Sequence, residues 1–181
     1  MMLAEVCLTM TTPLGALRLL ARHERLVGVV ILAGAAGVQP VSISMQAVSG
    51  GSASPVLRQA SRELAEYFAD QRRAFEVPLD LSGWPPFTRK ILEELRKVPY
   101  GETLTYGELA ARAGSPRAAR AVGQAMAANP LPIVIPCHRV VAADGRLGGY
   151  SGGDGLPTKQ WLLAFEQSNC RRLCAVVPGK R

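Results

Sequence analysis

The sequence predicts a mixed fold of helices and strands, α/β or α+β in class, because the two halves of the chain are patterned differently. Residues 1–82 carry short β-prone runs and one helix, whereas residues 87–168 are patterned as short helices. The dipeptide Pro85-Pro86 separates them, since prolines stop regular structure. A length of 181 residues allows a sizeable core, and residues 169–181 are predicted to form a basic tail.

The N-terminal half is predicted to be a small α/β unit. A helix is predicted where Leu57, Ala60, Leu64 and Phe68 recur on one face. The predicted elements are the strands Val6–Met10, Ala16–Ala21 and Leu26–Leu32, a strand remnant and loop over Ala33–Ser54, the helix Pro55–Arg72 and a returning strand Phe75–Leu81.

The C-terminal half has the pattern of a helix-turn-helix. Thr105 and Glu108 form a T-x-x-E capping box that opens a helix over Tyr106–Ala113. Ser115 is a good N-cap, and the proline after it suits the first turn of a second helix, Arg117–Ala128. A helix, a short turn containing glycine and a second helix are the elements of this motif.

The second helix of the motif is slim and carries arginine without acid. Arg117, Arg120 and Gln124 share one face, and no Asp or Glu occurs between Glu108 and Asp144. The same interval holds Arg112, Arg117, Arg120 and Arg139, and the slim helix includes Ala118, Ala119, Ala121, Ala125, Ala127 and Ala128. Such a helix can approach a phosphate-lined groove closely, although an alanine-rich helix packed within the core has the same composition.

The segment Asn129–Val140, NPLPIVIPCHRV, places a cysteine beside one of only two histidines. Its prolines exclude a helix interior, so the sequence predicts a rigid, buried and extended passage that ends on Cys137 and His138. The pair is either a nucleophile with its base or two ordinary buried side chains. Adjacent side chains of an extended chain point apart, so a base role for His138 requires a bridging water or a turn.

The remaining segments suggest a close approach and a partnered acid. Asp144-Gly145-Arg146 is predicted to be the turn of a hairpin, and glycines on both sides of Tyr150-Ser151 are typical of a loop whose backbone approaches another group closely. The last helix is predicted over Thr158–Gln167. Glu166 lies at its end, where a carboxylate is unfavourable for the helix dipole and therefore suggests a partner.

Composition limits the classes of function. A net charge of +7 favours a polyanionic partner. No apolar run is long enough to span a bilayer and no signal peptide is evident, so we expect a cytoplasmic protein without a membrane partner. The four cysteines (Cys7, Cys137, Cys170 and Cys174) are expected to be thiols, and none has the spacing of a zinc site, so no metal is expected.

The block Gly101–Gly153 closely resembles the O6-alkylguanine-DNA alkyltransferases, and its Ile135–Val140 core, IPCHRV, is highly specific for that family. Before it, only Glu66–Leu81 is similar. The resemblance implies a ribonuclease-H-like N-terminal domain, a winged-helix-like helix-turn-helix domain, and single-turnover transfer of an alkyl group from double-stranded DNA to Cys137 after base flipping. It also implies a monomer that needs no cofactor and no obligate protein partner.

The resemblance assigns roles to individual residues. Cys137 would be the nucleophile, His138 would take its proton through a water, Glu166 would orient His138, Asn129 would brace the site, and Tyr106 would donate to guanine N3 and help to rotate the nucleotide. Arg120 would fill the gap left by the flipped base. The other implied DNA contacts are Arg117, Gln124, Ala119 and Ala121, and the implied pocket residues are Met126, Pro132, Val140, Tyr150, Ser151 and Lys159, with the carbonyls of Cys137 and Val140 receiving the guanine amino group.

The sequence departs from the family pattern in one segment. Gly152–Lys159, which ends on the lysine matched to the family, is about two residues longer than common family patterns.

Three different functions compete with alkyl transfer. An alkyltransferase-like sensor would flip the damaged base without transfer, but such relatives lack the cysteine that Cys137 supplies. A helix-turn-helix regulator would bind DNA as a dimer, and no dimerisation element is evident in the sequence. A cysteine hydrolase would use Cys137 and His138 and would turn over repeatedly.

Overall fold

A three-stranded antiparallel sheet opens the chain in the computed structural model, which describes residues 6–32 and 54–176, the last five by their backbone alone. Strands β1 (Val6–Thr12), β2 (Gly15–Arg22) and β3 (Arg25–Ile31) pair in the order β1-β2-β3. Leu17 and Leu19 of β2 are buried while Arg18 between them is exposed, as the period of two in a strand requires. The three predicted strands are confirmed.

Helix α1 (Pro55–Phe68) packs on this sheet and buries the predicted apolar face. It ends four residues before the predicted Arg72, because Asp70 takes a left-handed φ of 59°. The predicted Phe75–Leu81 strand was wrong: there Leu79 only bridges Leu26. Glu63 of α1 accepts the backbone N–H groups of residues 76 and 77, which a strand would use in its ladder. The predicted loop over residues 33–53 lies outside the described residues.

The helical half contains α2 (Pro86–Leu95), α3 (Tyr106–Arg112), α4 (Ala119–Ala127) and α5 (Leu156–Val176), with a short parallel pair of β4 (Leu104–Thr105) and β5 (Val140–Val141). The predicted capping box is confirmed. The Glu108 N–H donates to Thr105 Oγ1 at 3.1 Å, and the Thr105 N–H donates to Glu108 Oε2 at 2.6 Å. Helices α3 and α4 pack together as the two arms of a helix-turn-helix.

Two predicted helix boundaries and one predicted hairpin in this half were wrong. Helix α4 begins at Ala119 without a side-chain cap, because the Ser115 carbonyl accepts the Ala118 N–H in a separate turn. Asp144 does lie in a turn, but in the described chain this turn does not join two antiparallel strands. The strand before it, β5, pairs in parallel with β4. Helix α5 continues to Val176, which places Glu166 in a helix interior and makes the start of the predicted tail helical.

Helix α5 is the longest helix of the structure. Neither it nor any other helix in residues 6–32 and 54–176 combines the length and the apolar character needed to cross a membrane.

The proline-rich segment before Cys137 turns instead of running straight. Ile133 has a φ of 74°, and the Ile135 N–H donates to the Leu131 carbonyl at 2.8 Å, so the predicted extended passage was wrong. The prolines supply no backbone N–H donors, and the tight turn satisfies the N–H of Ile135. The Pro130 carbonyl accepts from the Val29 N–H of β3 at 2.8 Å. This buried turn leads directly into a 3₁₀ helix, Cys137–Arg139.

Candidate active site

Cys137 begins the 3₁₀ helix, and its sulfur is hydrogen-bonded to Asn129. The side chain of Asn129 donates from Nδ2 to Cys137 Sγ at 3.1 Å and to the Ile135 carbonyl at 2.9 Å, while its Oδ1 accepts from the Leu131 N–H at 3.1 Å. One amide thus ties both sides of the preceding turn to the sulfur. Only 5% of Cys137 is exposed, and that surface opens into two cavities, of about 260 and 340 Å³.

The imidazole of His138 is buried and hydrogen-bonded on one nitrogen. Nε2 lies 2.8 Å from Oε1 of Glu166, and Nδ1 has no partner among the described protein atoms. A carboxylate can only accept, so Nε2 carries the proton and Nδ1 is left as an acceptor. This tautomer leaves His138 able to take a proton from a neighbour.

The Glu166 carboxylate is the centre of the network, and all of its partners are donors. Oε1 accepts from Tyr67 Oη at 2.7 Å, from His138 and from Arg139 Nη2 at 2.8 Å; Oε2 accepts from Arg139 Nε and from the Gly101 N–H, both at 2.9 Å. Burial alone would raise the pKa of Glu166, but the hydrogen bond from His138 and the charge that His138 carries when protonated, then the hydrogen bonds and charge of Arg139, hold it well below its usual range. Glu166 therefore stays ionised.

Three members of this network were not predicted from the sequence. In the sequence, Arg139 is distinguished only as one of four arginines in an interval without Asp or Glu, but it is 4% exposed and also donates from Nη1 to the Val98 carbonyl at 2.6 Å. Its position inside the IPCHRV core was the available signal. No sequence pattern near Tyr67 or Gly101 predicts their contacts, because their partner Glu166 is 99 and 65 residues away, respectively.

Burial sets the resting protonation of the cysteine and the histidine. It raises the pKa of the Cys137 thiol and lowers the pKa of His138, in each case as the largest cause. Both groups are therefore neutral at neutral pH. A thiol at the start of a 3₁₀ helix with an acceptor nitrogen on the next residue can lose its proton through one bridging water when a substrate arrives.

The smaller cavity has apolar walls and hydroxyl groups at its edge. Burial, followed by the charge that Cys137 carries as a thiolate, raises the pKa of Tyr106 and of Tyr150, so both phenols remain donors. Tyr150 Oη has no hydrogen-bond partner in the described part of the chain, and Ser151 Oγ donates to the Ala127 carbonyl at 3.1 Å. The lining residues are Tyr106, Gly123, Met126, Ala127, Cys137, Gly149, Tyr150 and Ser151.

The other predicted pocket residues lie elsewhere. Pro132 lines the larger cavity, against β3 and Asn129. Val140 and Lys159 are fully buried, and Lys159 Nζ donates to the Val140 carbonyl at 2.6 Å and also to the Leu147 carbonyl. The ammonium of Lys159, which follows the longer loop, thus bonds to backbone carbonyls, and Lys159 is not among the residues that line either cavity. The carbonyls predicted to receive the guanine amino group already accept from protein, that of Cys137 from the Val140 N–H.

The DNA-facing residues expected on α4 lie beside the smaller cavity. Arg117, just before the helix, and Arg120 and Gln124 on it are exposed, whereas Ala119 and Ala121 are half-buried. Gly123 and Met126 of the same helix line the cavity. An exposed basic face thus adjoins the opening to Cys137. Within the described residues, no group of three or more His, Cys, Asp or Glu side chains is placed to hold a metal ion.

Comparisons with known proteins identify relatives of both halves. The family model described as the 6-O-methylguanine DNA methyltransferase ribonuclease-like domain matches residues 6–81, and that described as the DNA binding domain of the same methyltransferase matches residues 86–168. The fold class predicted from the resemblance is confirmed.

Individual relatives carry the corresponding names. The human methylated-DNA–protein-cysteine methyltransferase is 41% identical over 165 residues, which cover 87% of this chain and 78% of the human protein. The Methanosarcina acetivorans protein of the same name is 47% identical over 111 residues, 61% of this chain and 69% of that protein. The crystal structure of Mycobacterium tuberculosis OGT in complex with DNA superposes with a TM-score of 0.73 at 37% identity, covering 90% of this chain and 93% of that one.

Proposed function

The chain belongs to the 6-O-methylguanine DNA methyltransferase family, and we propose that it repairs DNA by moving an alkyl group directly from O6 of guanine to Cys137. One observation carries the proposal. Cys137 lines a cavity with apolar walls, and the next residue, His138, is hydrogen-bonded to Glu166. A relay of this kind activates a nucleophile, and the cavity can hold a flat, extruded base.

The transfer step follows from the protonation states. The proton of the Cys137 thiol passes through a water to Nδ1 of His138, and ionised Glu166 stabilises the resulting imidazolium. The thiolate attacks the alkyl carbon, a C–S bond forms, and the C–O6 bond breaks with its electron pair left on guanine. A hydrogen bond or proton from the Tyr106 phenol to guanine N3 stabilises that departing charge.

The product determines the stoichiometry. A thioether offers water no carbonyl to attack, so the alkyl group stays on Cys137 and each chain acts once. No diffusible cofactor takes part in this scheme. Every group in it comes from a single chain, which supports action as a monomer on double-stranded DNA. The cytoplasmic location and the absence of an obligate protein partner remain predictions.

Helix α4 is proposed to deliver the base. Arg120 is exposed at the start of this helix, and three residues later Gly123 lines the cavity. A guanidinium inserted into the base stack at this position would fill the space of the flipped nucleotide, and the neighbouring Arg117 and Gln124 would contact the backbone. A sensor that binds damage without transfer is disfavoured because Cys137 is present and braced by Asn129.

Methyl transfer to Cys137 tests the proposal. The chain is incubated with duplex DNA that carries one radiolabelled O6-methylguanine, and peptide mass spectrometry locates the label. We expect at most one methyl group per chain, on Cys137, and none in Cys137→Ala. Cys170→Ala is the control: it removes a second thiol, which is partly buried, and it should react as fully as the unmodified protein. Transfer that persists in Cys137→Ala would refute the mechanism, and several turnovers per chain would indicate a hydrolase.

Arg120→Ala should weaken repair in duplex DNA much more than reaction with free O6-benzylguanine. The free base needs no flipping, whereas unstacking a base costs a few kcal/mol, so we expect a loss of about 10- to 100-fold for duplex alone. Arg89→Ala removes an equal charge from an exposed site on α2 and controls for general attraction to phosphates. Equal losses on both substrates would exclude the role of Arg120 in flipping.

A further inference from the structure

Tyr67 reaches from the N-terminal half into the centre of the proposed site. It lies on α1, is fully buried, and donates from Oη to Glu166 Oε1 at 2.7 Å. Aromatic rings hold it in place, with centroids 5.2 to 5.7 Å from its own, at Phe68, Phe75, Tyr100 and Phe165. In the described part of the chain, no other group from residues before 82 bonds to Glu166.

We propose that Tyr67 is a positioning residue for alkyl transfer, through which the N-terminal half controls how strongly Glu166 binds His138. This inference rests on the proposed function, because it concerns the same nucleophile and base. It adds a role for a residue that contacts neither the sulfur nor the substrate.

The argument begins with the crowding of one oxygen. Glu166 Oε1 accepts from three donors, Tyr67 Oη, His138 Nε2 and Arg139 Nη2, all at 2.7 to 2.8 Å. A carboxylate oxygen has two lone pairs, so these donors share its negative charge. The Tyr67 hydroxyl therefore withdraws charge that would otherwise strengthen the bond to His138.

The hydroxyl is suited to that role because it never ionises under ordinary conditions. Burial, followed by the negative charge of Glu166, raises the pKa of Tyr67 well above its usual value. The phenol thus remains a neutral donor across the working pH range. It also holds the carboxylate at a fixed point, because its ring cannot rotate away from the aromatic cluster.

Removing this hydroxyl should make His138 easier to protonate. Glu166 would then direct more charge to Nε2–H, and the protonated imidazole, which cannot accept the thiol proton, would persist to higher pH. The titratable and charged groups that face this network are Cys137, His138 and Arg139 of the 3₁₀ helix, Lys159 and Glu166 of α5, Tyr67 of α1, and Tyr100 with Arg73 stacked on its ring.

The experiment compares Tyr67→Phe with Tyr100→Phe. Both remove a phenol oxygen from the same aromatic cluster, but the Tyr100 hydroxyl accepts from Asn169 at 3.2 Å and makes no bond to Glu166. The rate of Cys137 alkylation by free O6-benzylguanine is measured between about pH 5 and pH 9. For Tyr67→Phe we expect the acid limb of the profile to move up by about one pH unit. For Tyr100→Phe it should remain at the position of the unmodified protein.

A second measurement does not depend on transfer. The chain has two histidines, one buried and one exposed, so nuclear magnetic resonance can resolve the signal of buried His138 and follow its titration. We expect the His138 midpoint to rise in Tyr67→Phe alone. An unmoved or lowered midpoint and acid limb, or equal shifts in both variants, would overturn the role of Tyr67. An unmodified protein that fails to alkylate Cys137 would instead overturn the proposed function, whatever His138 does.

Discussion

Replacing Glu166 by Gln is expected to abolish most alkyl transfer and to destabilise the fold at the same time. Gln has one acceptor oxygen for five donors, and its own NH₂ group would face the N–H groups of Arg139 or Gly101. We expect transfer to O6-benzylguanine to fall by about 10²- to 10⁴-fold, since His138 loses its orientation and the imidazolium its counter-charge. Stopped-flow or quench kinetics with the free base measures this loss without a contribution from DNA binding.

The stability loss has a separate cause. Glu166→Gln leaves the Arg139 guanidinium, 4% exposed, without a compensating charge, and breaking a buried pair in this way costs about 3–5 kcal/mol. Urea unfolding at pH 7 measures it. Glu94→Gln is the matched control, because it breaks an exposed pair with Lys97 that is worth about 0–1 kcal/mol. If the two variants lost equal stability, Glu166 would not be the structural centre of this network.

The network also makes stability depend on pH in one direction. The pKa values of Glu166 and His138 are both lower in the folded chain than in the unfolded one, so the unfolded chain binds protons first as the pH falls. Stability is therefore fully present at neutral pH. It declines below about pH 6.5 through His138 and further below about pH 4.3 through Glu166.

Local features of the chain were predicted well because their physics is local. The capping box needs only Thr105 and Glu108, three residues apart, and β2 needs only alternation along one strand. The start of α4 was missed because Ser115 also suits a turn, and a short sequence does not distinguish the two uses. The turn at Ile133 was missed because a β-branched residue rarely adopts a positive φ unless its surroundings impose it.

The site shows the same division. The Cys137-His138 pair lies within one short motif, and the resemblance to a known family supplied Glu166 as its partner. The contacts of Glu166 with Tyr67 and Gly101 depend on how the two halves pack, which no spacing along the chain encodes. No buried role was predicted for Arg139, because a charged side chain is rarely buried unless it is paired and its partner Glu166 lies 27 residues away. Only the fold brings Arg139 to its partner Glu166.

Gly148→Ala is expected to displace Tyr106 in the proposed base pocket. Gly148 has a φ of 67°, and a Cβ built there would lie 2.7 Å from Tyr106 Oη and 3.1 Å from its ring carbon Cε2. The Tyr106 phenol lines the cavity and would have to move, which removes the donor proposed for guanine N3. A misplaced donor of this kind costs about 100-fold in rate, and we expect that loss with both methylated duplex and free O6-benzylguanine.

A second glycine separates this effect from backbone strain. Gly145 has a φ of 80°, and a Cβ there meets nothing within 4 Å, so Gly145→Ala carries the same left-handed penalty, about 1–2 kcal/mol, without the clash. Gly148→Ala should therefore lose at least as much stability to urea as Gly145→Ala, while only Gly148→Ala loses its rate of Cys137 alkylation. If Gly145→Ala slowed transfer as much, the cause would be strain in the loop, and the pocket beside Tyr106 would not be where the base binds.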